Sequence, residues 1–558
     1  MRKLYVGIDL ALVSKHRASI YDAQKNSYLD NSFSFDCTFG GFEYLLEKCK
    51  KHIKKGEEAK INFIMEPTGN AWVPLSCYLI AKGHRVYRVT TQKSHDFRKF
   101  LDKHTKSDRI DARALAKLPL VSEDDVYELV LPTHDLGTLS RKAKHMAKLI
   151  KETSAHKLRI QSIFDMTNPK VLKAFGEDKF SKAGRIFFKH FSNPLKVVEL
   201  GKNKFFDEFR KELSSVSDEI LEKIYDASGS IIKIYEPLIN QGALPFDFYE
   251  VDEEIQTELR ILEFLEVEIE IIRKHIKVIY KKIDPEGYLM SIRGIGDTIA
   301  PAVLGIIGDV DRFPNIGSFR KYFGFISKKK QSSNTDRKGL KIHKAAPKLL
   351  KHYLYLAADT ARRWDVEFAC FYDRLTKKGH HHYKAVCALA NKMAGRIYAM
   401  LKRMKNAENC NYNVAKVAYS QDRLKPNEVR YKLRNLEGNI ISKQEATKIV
   451  RENFPSKSKR EMSALKAKEK QRESLSSLKP FEGQPRQFFL LDSENSLKRS
   501  CKTLPVKDIL NDMFSELFLQ DNGVDLERKT FYDTLKRLKD QIEEKELVDK
   551  LCKGGGKK

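Results

Sequence analysis

Lys3-Leu4-Tyr5-Val6-Gly7-Ile8-Asp9-Leu10 is the stretch on which the reading of the amino-terminal region turns. Its Val, Ile and Tyr content is that of a strand, and it closes on a carboxylate. Comparable runs follow at 17–22, 28–35, 60–65 and 84–90. The first three are close enough for hairpins, whereas helix-length stretches at 41–54 and 71–82 separate the later ones. A mixed sheet with helices packed on it is predicted, an α/β domain ending near residue 120.

Outward from this domain the period changes. Leu136, Leu139, Ala143, Met146, Ile150 and Thr153 recur at helical spacing on a basic background, which predicts one long helix over about 135–166. Between 255 and 283 the residues Ile255, Leu259, Leu262, Leu265, Ile269, Ile272, Ile276, Ile279 and Ile283 step by threes and fours, close to a heptad. The two helices read as an antiparallel coiled-coil arm suited to dimerisation, or equally as a buried helix hairpin. Residues 168–250 show only irregular helix content, interrupted by Pro169, Pro194, Pro237 and Pro245. A third, mainly α-helical unit covers 286–405, and a basic helical extension of unassigned role runs over 406–558. Within it, 457–479 holds eight Lys or Arg against three Glu, a solvated linker or charged helix. The expected division is thus 1–120, 121–285, 286–405 and 406–558.

The whole chain of 558 residues carries 104 Lys and Arg against 75 Asp and Glu, a net charge of +29, which favours a polyanionic partner, nucleic acid first. No run of about 18 apolar residues predicts a membrane span, and the start of the chain does not read as a signal peptide. Eight cysteines are scattered without a Cys-x-x-Cys pair, as in a reducing compartment. His380, His381 and His382 read as a solvated loop ahead of a metal site.

Four acids stand out as a set. Asp9 closes the first strand and Glu66 the fourth, in Met65-Glu66-Pro67-Thr68-Gly69, while Asp108 and Asp111 share one face of a helix through their i, i+3 spacing. Such a group can converge on a pair of Mg²⁺ ions, which prefer hard oxygen ligands and leave room for phosphate. Each acid alone has an ordinary alternative: a turn, a surface acid, a helix cap, a salt bridge. Further on, Gly294 and Gly296 in Ile292-Arg293-Gly294-Ile295-Gly296 stand at a predicted helix start and resemble a helix-hairpin-helix that holds a DNA phosphate, or a plain glycine turn. Arg320, Lys321, Lys328, Lys329, Lys330, Arg337, Lys338, Lys341 and Lys344 then place nine cations against the single acid Asp336 in 25 positions, a concentration suited to a phosphate backbone. Within them Ser332 and Ser333 read either as turn residues or as nucleophiles flanked by cations.

Gly7-Ile8-Asp9, Met65-Glu66-Pro67-Thr68-Gly69 and Lys106-Ser107-Asp108-Arg109-Ile110-Asp111-Ala112-Arg113 together resemble the Asp-Glu-Asp-Asp transposases of the one-ten insertion-sequence family, which includes RNA-guided recombinases and related DNA invertases. The third unit is similar to that family's second domain through Ile292 to Gly296, the Phe323-Gly324-Phe325 segment and Ser332-Ser333-Asn334. The resemblance implies an RNase H-like (RuvC-like) domain with a coiled-coil arm and a helical transposase domain. It makes Asp9, Glu66, Asp108 and Asp111 the ligands of two Mg²⁺ ions and Ser333 the nucleophile, with Ser332 as its alternate. It further implies DNA and a structured guide RNA as partners, a homodimer or tetramer, and a place in the cytoplasm of a bacterium or archaeon, by the nucleoid. Two other functions remain open on the residues alone: a junction-resolving or other metal-dependent endonuclease that uses water, and a non-catalytic nucleic-acid-binding protein.

Overall fold

The computed structural model describes residues 2–101, 107–121, 126–326, 331–332, 335–336, 342, 346–412 and 423–454. All of them lie in the first of two units, Met1–Lys457. The amino-terminal strands are β1 (Arg2–Asp9), β2 (His16–Asp22), β3 (Ser27–Phe35), β4 (Ala59–Met65), β5 (Arg85–Arg88) and β6 (Tyr127–Glu128). They form one sheet in the order β3-β2-β1-β4-β5-β6. The β1–β2, β2–β3 and β5–β6 pairs are antiparallel, whereas β1–β4 and β4–β5 are parallel. The helices α1 (Phe39–Lys50), α2 (Trp72–Ala81), α3 (Thr91–Leu101) and α4 (Asp108–Val121) connect or flank these strands.

The period of two in β1 sorts its side chains between two cores. Val6 and Ile8 face one way, with Phe63, Met65 and the buried faces of α1 and α2. Tyr5 faces the other way, with Ile64 and with Leu115 and Leu118 of α4. Gly7, on the same face as Tyr5, takes the backbone of α4 directly: a Cβ there would stand 2.1 Å from the Ala112 carbonyl oxygen and 2.2 Å from the Ala116 amide nitrogen. At the opposite end of the strand, Arg2 is buried and bonds Asp22 through Nε at 2.9 Å and Nη2 at 2.7 Å. The strands expected from the sequence are all present, and β6 extends the sheet past the boundary expected near residue 120.

The expected long helices are α5 (His134–Thr167) and, after the region between them, α10 (Phe248–Ile283). They pack antiparallel: Leu136 and Leu139 share a core with Ile269 to Ile283, whereas Ile160 and Phe164 share another with Val251 to Leu262. The second core belongs to the region that reads as irregular from sequence. Its helices are α6 (Lys182–His190), α7 (Pro194–Leu200), α8 (Lys202–Glu212) and α9 (Asp218–Asn240). Phe164, Phe187, Phe188, Phe205 and Phe209 are fully buried there, each contributing about 1.5–3 kcal/mol. Of the prolines that read as breakers, Pro169 and Pro245 lie between helices and Pro194 occupies the first turn of α7 behind an Asn193 cap, whereas Pro237 stands inside α9, near its end.

The third unit contains α11 (Ile299–Ile307), α12 (Ile316–Phe323), the two-residue strands β7 (Gln331–Ser332) and β8 (Thr335–Asp336), then α13 (Lys348–Ala361), α14 (Val366–Lys377) and α15 (His382–Met404). Two short helices follow, α16 (Pro426–Val429) and α17 (Lys443–Asn453). Packing does not end at residue 405 as the expected boundary has it. Ala407, Cys410, Tyr412 and Val429 are buried in the core of α11, α13 and α15, and the Tyr412 hydroxyl donates to the Gly308 carbonyl at 2.6 Å. These apolar residues are too widely spaced to show a period, so only their long-range contacts reveal them. Among the described residues no helix is long and apolar enough to cross a membrane.

Candidate active site

Asp9 and Glu66 sit side by side at the carboxyl edge of the sheet. In the parallel register Ile8 is opposite Met65, so the last residue of β1 and the residue that follows β4 are neighbours. Strand alternation places Asp9 on the face of Tyr5 and Gly7, and Glu66, two beyond Ile64, lies in line with that same face.

The same face carries α4. Because Gly7 meets Ala112 and Ala116 while Tyr5 meets Leu115 and Leu118, α4 runs against β1 with its amino end toward Asp9. Asp108 and Asp111 lie in the first turn, one helical turn before the sheet-facing Ala112 and Leu115. Ser107 precedes them, its carbonyl accepting from the Ile110 amide at 2.9 Å and the Asp111 amide at 3.0 Å. A helix amino terminus favours carboxylates through its exposed N–H groups and dipole. Two strand ends and one helix start thus bring all four acids to one edge.

In kind, these ligands suit a hard divalent cation, and their backbone placement agrees with such a site. As the side chains are placed, however, no group of three or more His, Cys, Asp or Glu among the described residues could hold a metal ion. Asp111 is turned to Arg98 of α3, whose Nε lies 3.4 Å from its carboxylate.

Cations lie near this edge as well, on the sheet face of Met65 and Val86 opposite that of Asp9 and Glu66, and sequence reading did not single them out. Arg88, the last residue of β5 and opposite Met65, has its guanidinium 4.4 Å from the centre of the Trp72 ring. Burial lowers its pKa, and the nearby charge of Arg312 adds to that effect. Lys144 of α5 is lowered in the same way, by lost hydration and then by Arg88. Arg312 itself rests on Phe313 at 4.6 Å and Tyr322 at 4.7 Å, in a turn tied to α15 by the Asp309–Lys405 pair at 2.9 Å. Arg88 thus feels like charge both from α5 and from the third unit. The signal in the sequence was a lone arginine at a strand's carboxyl end, too common to single out.

The remaining sequence-derived residues fall in three groups. Gly294 has φ +88° and packs against α13, where a Cβ would stand 2.1 Å from the Ala357 carbonyl oxygen, while Gly296 is exposed. Both precede the helix, which begins at Ile299 and not at the glycines, because the positive φ of Gly294 is incompatible with helical backbone. Arg320 is laid across α15, its guanidinium against Gly395, while Lys321 is exposed. Ser332 of β7 stands opposite Thr335 of β8 in an antiparallel pair. Ser333, Lys328, Lys329, Lys330, Arg337, Lys338, Lys341 and Lys344 lie outside the described residues. Of the three histidines, His381 caps α15 and His382 bonds the Tyr372 hydroxyl at 2.8 Å.

With the sheet edge and its neighbours described, comparison with known proteins places two stretches of the chain beside transposases. A DEDD-type transposase family associated with IS110 matches residues 6–169, spanning the sheet, α4 and α5. The transposase IS116/IS110/IS902 family matches residues 286–373. The chain is also similar to the uncharacterized 43.6 kDa protein of insertion element IS110 from Streptomyces coelicolor, 20% identical over 297 residues, which cover 53% of this chain and 71% of that protein. Over both stretches the chain resembles the IS110 family of transposases.

Proposed function

We propose that this protein is a DNA transposase or site-specific recombinase of a mobile element that cuts and rejoins strands through the acidic edge and a serine nucleophile. The observation that supports the reading is the backbone placement of Asp9, Glu66, Asp108 and Asp111 at the ends of β1 and β4 and the start of α4, with Gly7 in contact with α4. The strand order, three antiparallel strands followed by parallel crossovers, supports an RNase H-like sheet.

Asp9, Glu66, Asp108 and Asp111 would hold the expected pair of Mg²⁺ ions. Bound there, the ions would neutralise charge on the scissile phosphate and on the attacking and leaving oxygens. Arg88, Lys144 and Arg312 add positive charge fixed by the protein, which binds and orients the strand. Ser333 Oγ loses its proton and attacks phosphorus, forming a serine phosphodiester as one DNA end departs as a hydroxyl. Attack by a second strand's hydroxyl reverses the bond change and frees the serine, so no external energy source is needed. A homodimer or tetramer fits the arm, because Ile261, Phe264, Val267 and Ile271 form an exposed apolar stripe on α10 beside its buried seam. A structured guide RNA completes the reading, and sequencing of RNA that co-purifies with the protein tests it.

The decisive experiment is adduct mapping. Cut DNA should carry protein joined through Ser333, and Ser333→Ala should abolish adduct and strand exchange while DNA binding persists. Cleavage by that variant leaving free 5′-phosphate and 3′-hydroxyl ends would establish a water-using endonuclease instead, and an adduct on Ser332 would move the nucleophile by one residue. Asp9→Asn, Glu66→Gln, Asp108→Asn and Asp111→Asn should each lower cleavage by at least 100-fold with an unchanged melting profile, as should a chelator.

A further inference from the structure

Helix α17 lies beyond both family matches, which end at residues 169 and 373. A capping box starts it, with the Glu445 amide donating to the Ser442 hydroxyl at 3.2 Å and the Ser442 amide donating to the Glu445 carboxylate at 2.9 Å. Its apolar face, Ala446 and Val450, is buried against Val366 and Ala369 of α14 and against Leu433. The segment leading to it is tied down by Tyr431, whose amide donates to Ser291 at 2.9 Å and whose hydroxyl donates to the buried Asp365 at 2.9 Å. With one face docked, helical geometry turns the other over a pocket of about 530 Å³.

That pocket is built for a polyanion with a flat ring. Lys443, Lys448 and Arg451 of α17 and Arg293 from the loop before Gly294 supply four cations against the one acid Glu452. None of the four is in an ion pair among the described residues, and the Arg293 Nε is buried without a hydrogen-bond partner. Trp364, 37% exposed, forms part of the lining, with the Arg451 guanidinium 5.8 Å from its ring centre. A cationic face on a packed core would repel itself without an anionic ligand, and an aromatic ring among cations suits an unstacked base.

We propose that this pocket holds a single-stranded nucleic-acid segment, with a base on Trp364 and neighbouring phosphates on Lys443, Lys448, Arg451 and Arg293. The site goes beyond the strand-cutting edge and gives the start of the basic extension a binding role. Single strands are preferred to duplex because a base in a helix has no free face to offer the ring.

The full chain holds two tryptophans, Trp72 and Trp364, so fluorescence reads the site directly. Titration with oligo(U) or oligo(dT) of about 12 nucleotides should quench emission, and Trp364→Phe should remove most of that quench. Replacing Lys443, Lys448 and Arg451 together by Ala should weaken binding at least tenfold at low salt. It should also reduce the slope of log affinity against log salt by about 2, at roughly 0.7 per phosphate contact. Circular dichroism melting checks that each variant is folded. Tighter oligo(U) assigns the pocket to RNA and tighter oligo(dT) to a DNA strand, and both support it. An unchanged slope in the folded triple variant, or Trp364 emission that oligonucleotide leaves unquenched in a folded Trp72→Phe protein, overturns it. Asp9→Asn must leave the quench intact, so failure of the strand-cutting reading and failure of this one are told apart.

Discussion

Gly7→Ala tests the physical basis of the acidic edge without touching an acid. The added methyl would stand 2.1 Å from the Ala112 carbonyl oxygen, 0.9 Å inside the 3.0 Å that real Cβ atoms keep. Both nearest atoms are backbone, so no side-chain rotation relieves the overlap, and α4 must move off β1 by about 1 Å. Overpacking of this kind costs about 3 kcal/mol, including lost contact between Leu115, Leu118 and the sheet. For a domain of this size that is roughly a 10 °C fall in the melting temperature of the amino-terminal unit. The helix carries Asp108 and Asp111 with it, and a 1 Å misplacement of catalytic groups costs on the order of 100-fold in rate. The assay pairs differential scanning calorimetry with single-turnover cleavage, run well below the new melting temperature. A Gly7→Ala protein that melts and cuts like wild type would refute the claim that this contact holds the acids together.

Other consequences follow from burial. Phe187→Ala, deep in the core of α6 to α9, should cost about 3–5 kcal/mol and shift a calorimetric transition of the arm while leaving that of the amino-terminal domain in place. Truncation after Lys457 should preserve the melting of the described unit, whereas truncation after Cys410 removes the buried Tyr412 and Val429 and should lower its stability by about 5 kcal/mol or more; equal melting of the two would count against their place in the core. His16 is buried, accepts the Ala11 amide on Nδ1 at 3.1 Å, and has its pKa lowered by burial against a weaker opposing pull from Asp36. The unfolded chain therefore takes up the proton first. Stability should be full above about pH 6.5 and fall as the pH drops from there toward the lowered folded value, a slope read by melting between pH 7.5 and 5.5. His16→Gln should make that slope shallower, and an unchanged slope would remove His16 as its source.

What was legible in the sequence was whatever repeats over short distances. The strands of the sheet showed as β-rich runs, α5 and α10 as helical periods, and the acids as residues closing strands or sharing a helix turn. Their motifs were distinctive enough to suggest the family before any fold was known. The helical region of α6 to α9 was not legible, because its phenylalanines meet across helices rather than along them. Nor was the packing of 407–412 and 423–454, where single residues such as Tyr412 reach a core far away in the chain. That Asp9 and Glu66 share an edge was implicit in strand ends, but that α4 runs back along β1 depends on Gly7 lacking a Cβ, a close approach that only tertiary structure displays. The pairing of Asp111 with Arg98, the approach of Lys144 and Arg312 to Arg88, and the pocket between Arg293, Trp364 and α17 all join residues distant in the chain. Sequence specifies local backbone preference and which faces must be buried. Which charges end up facing one another is decided by how the buried faces dock.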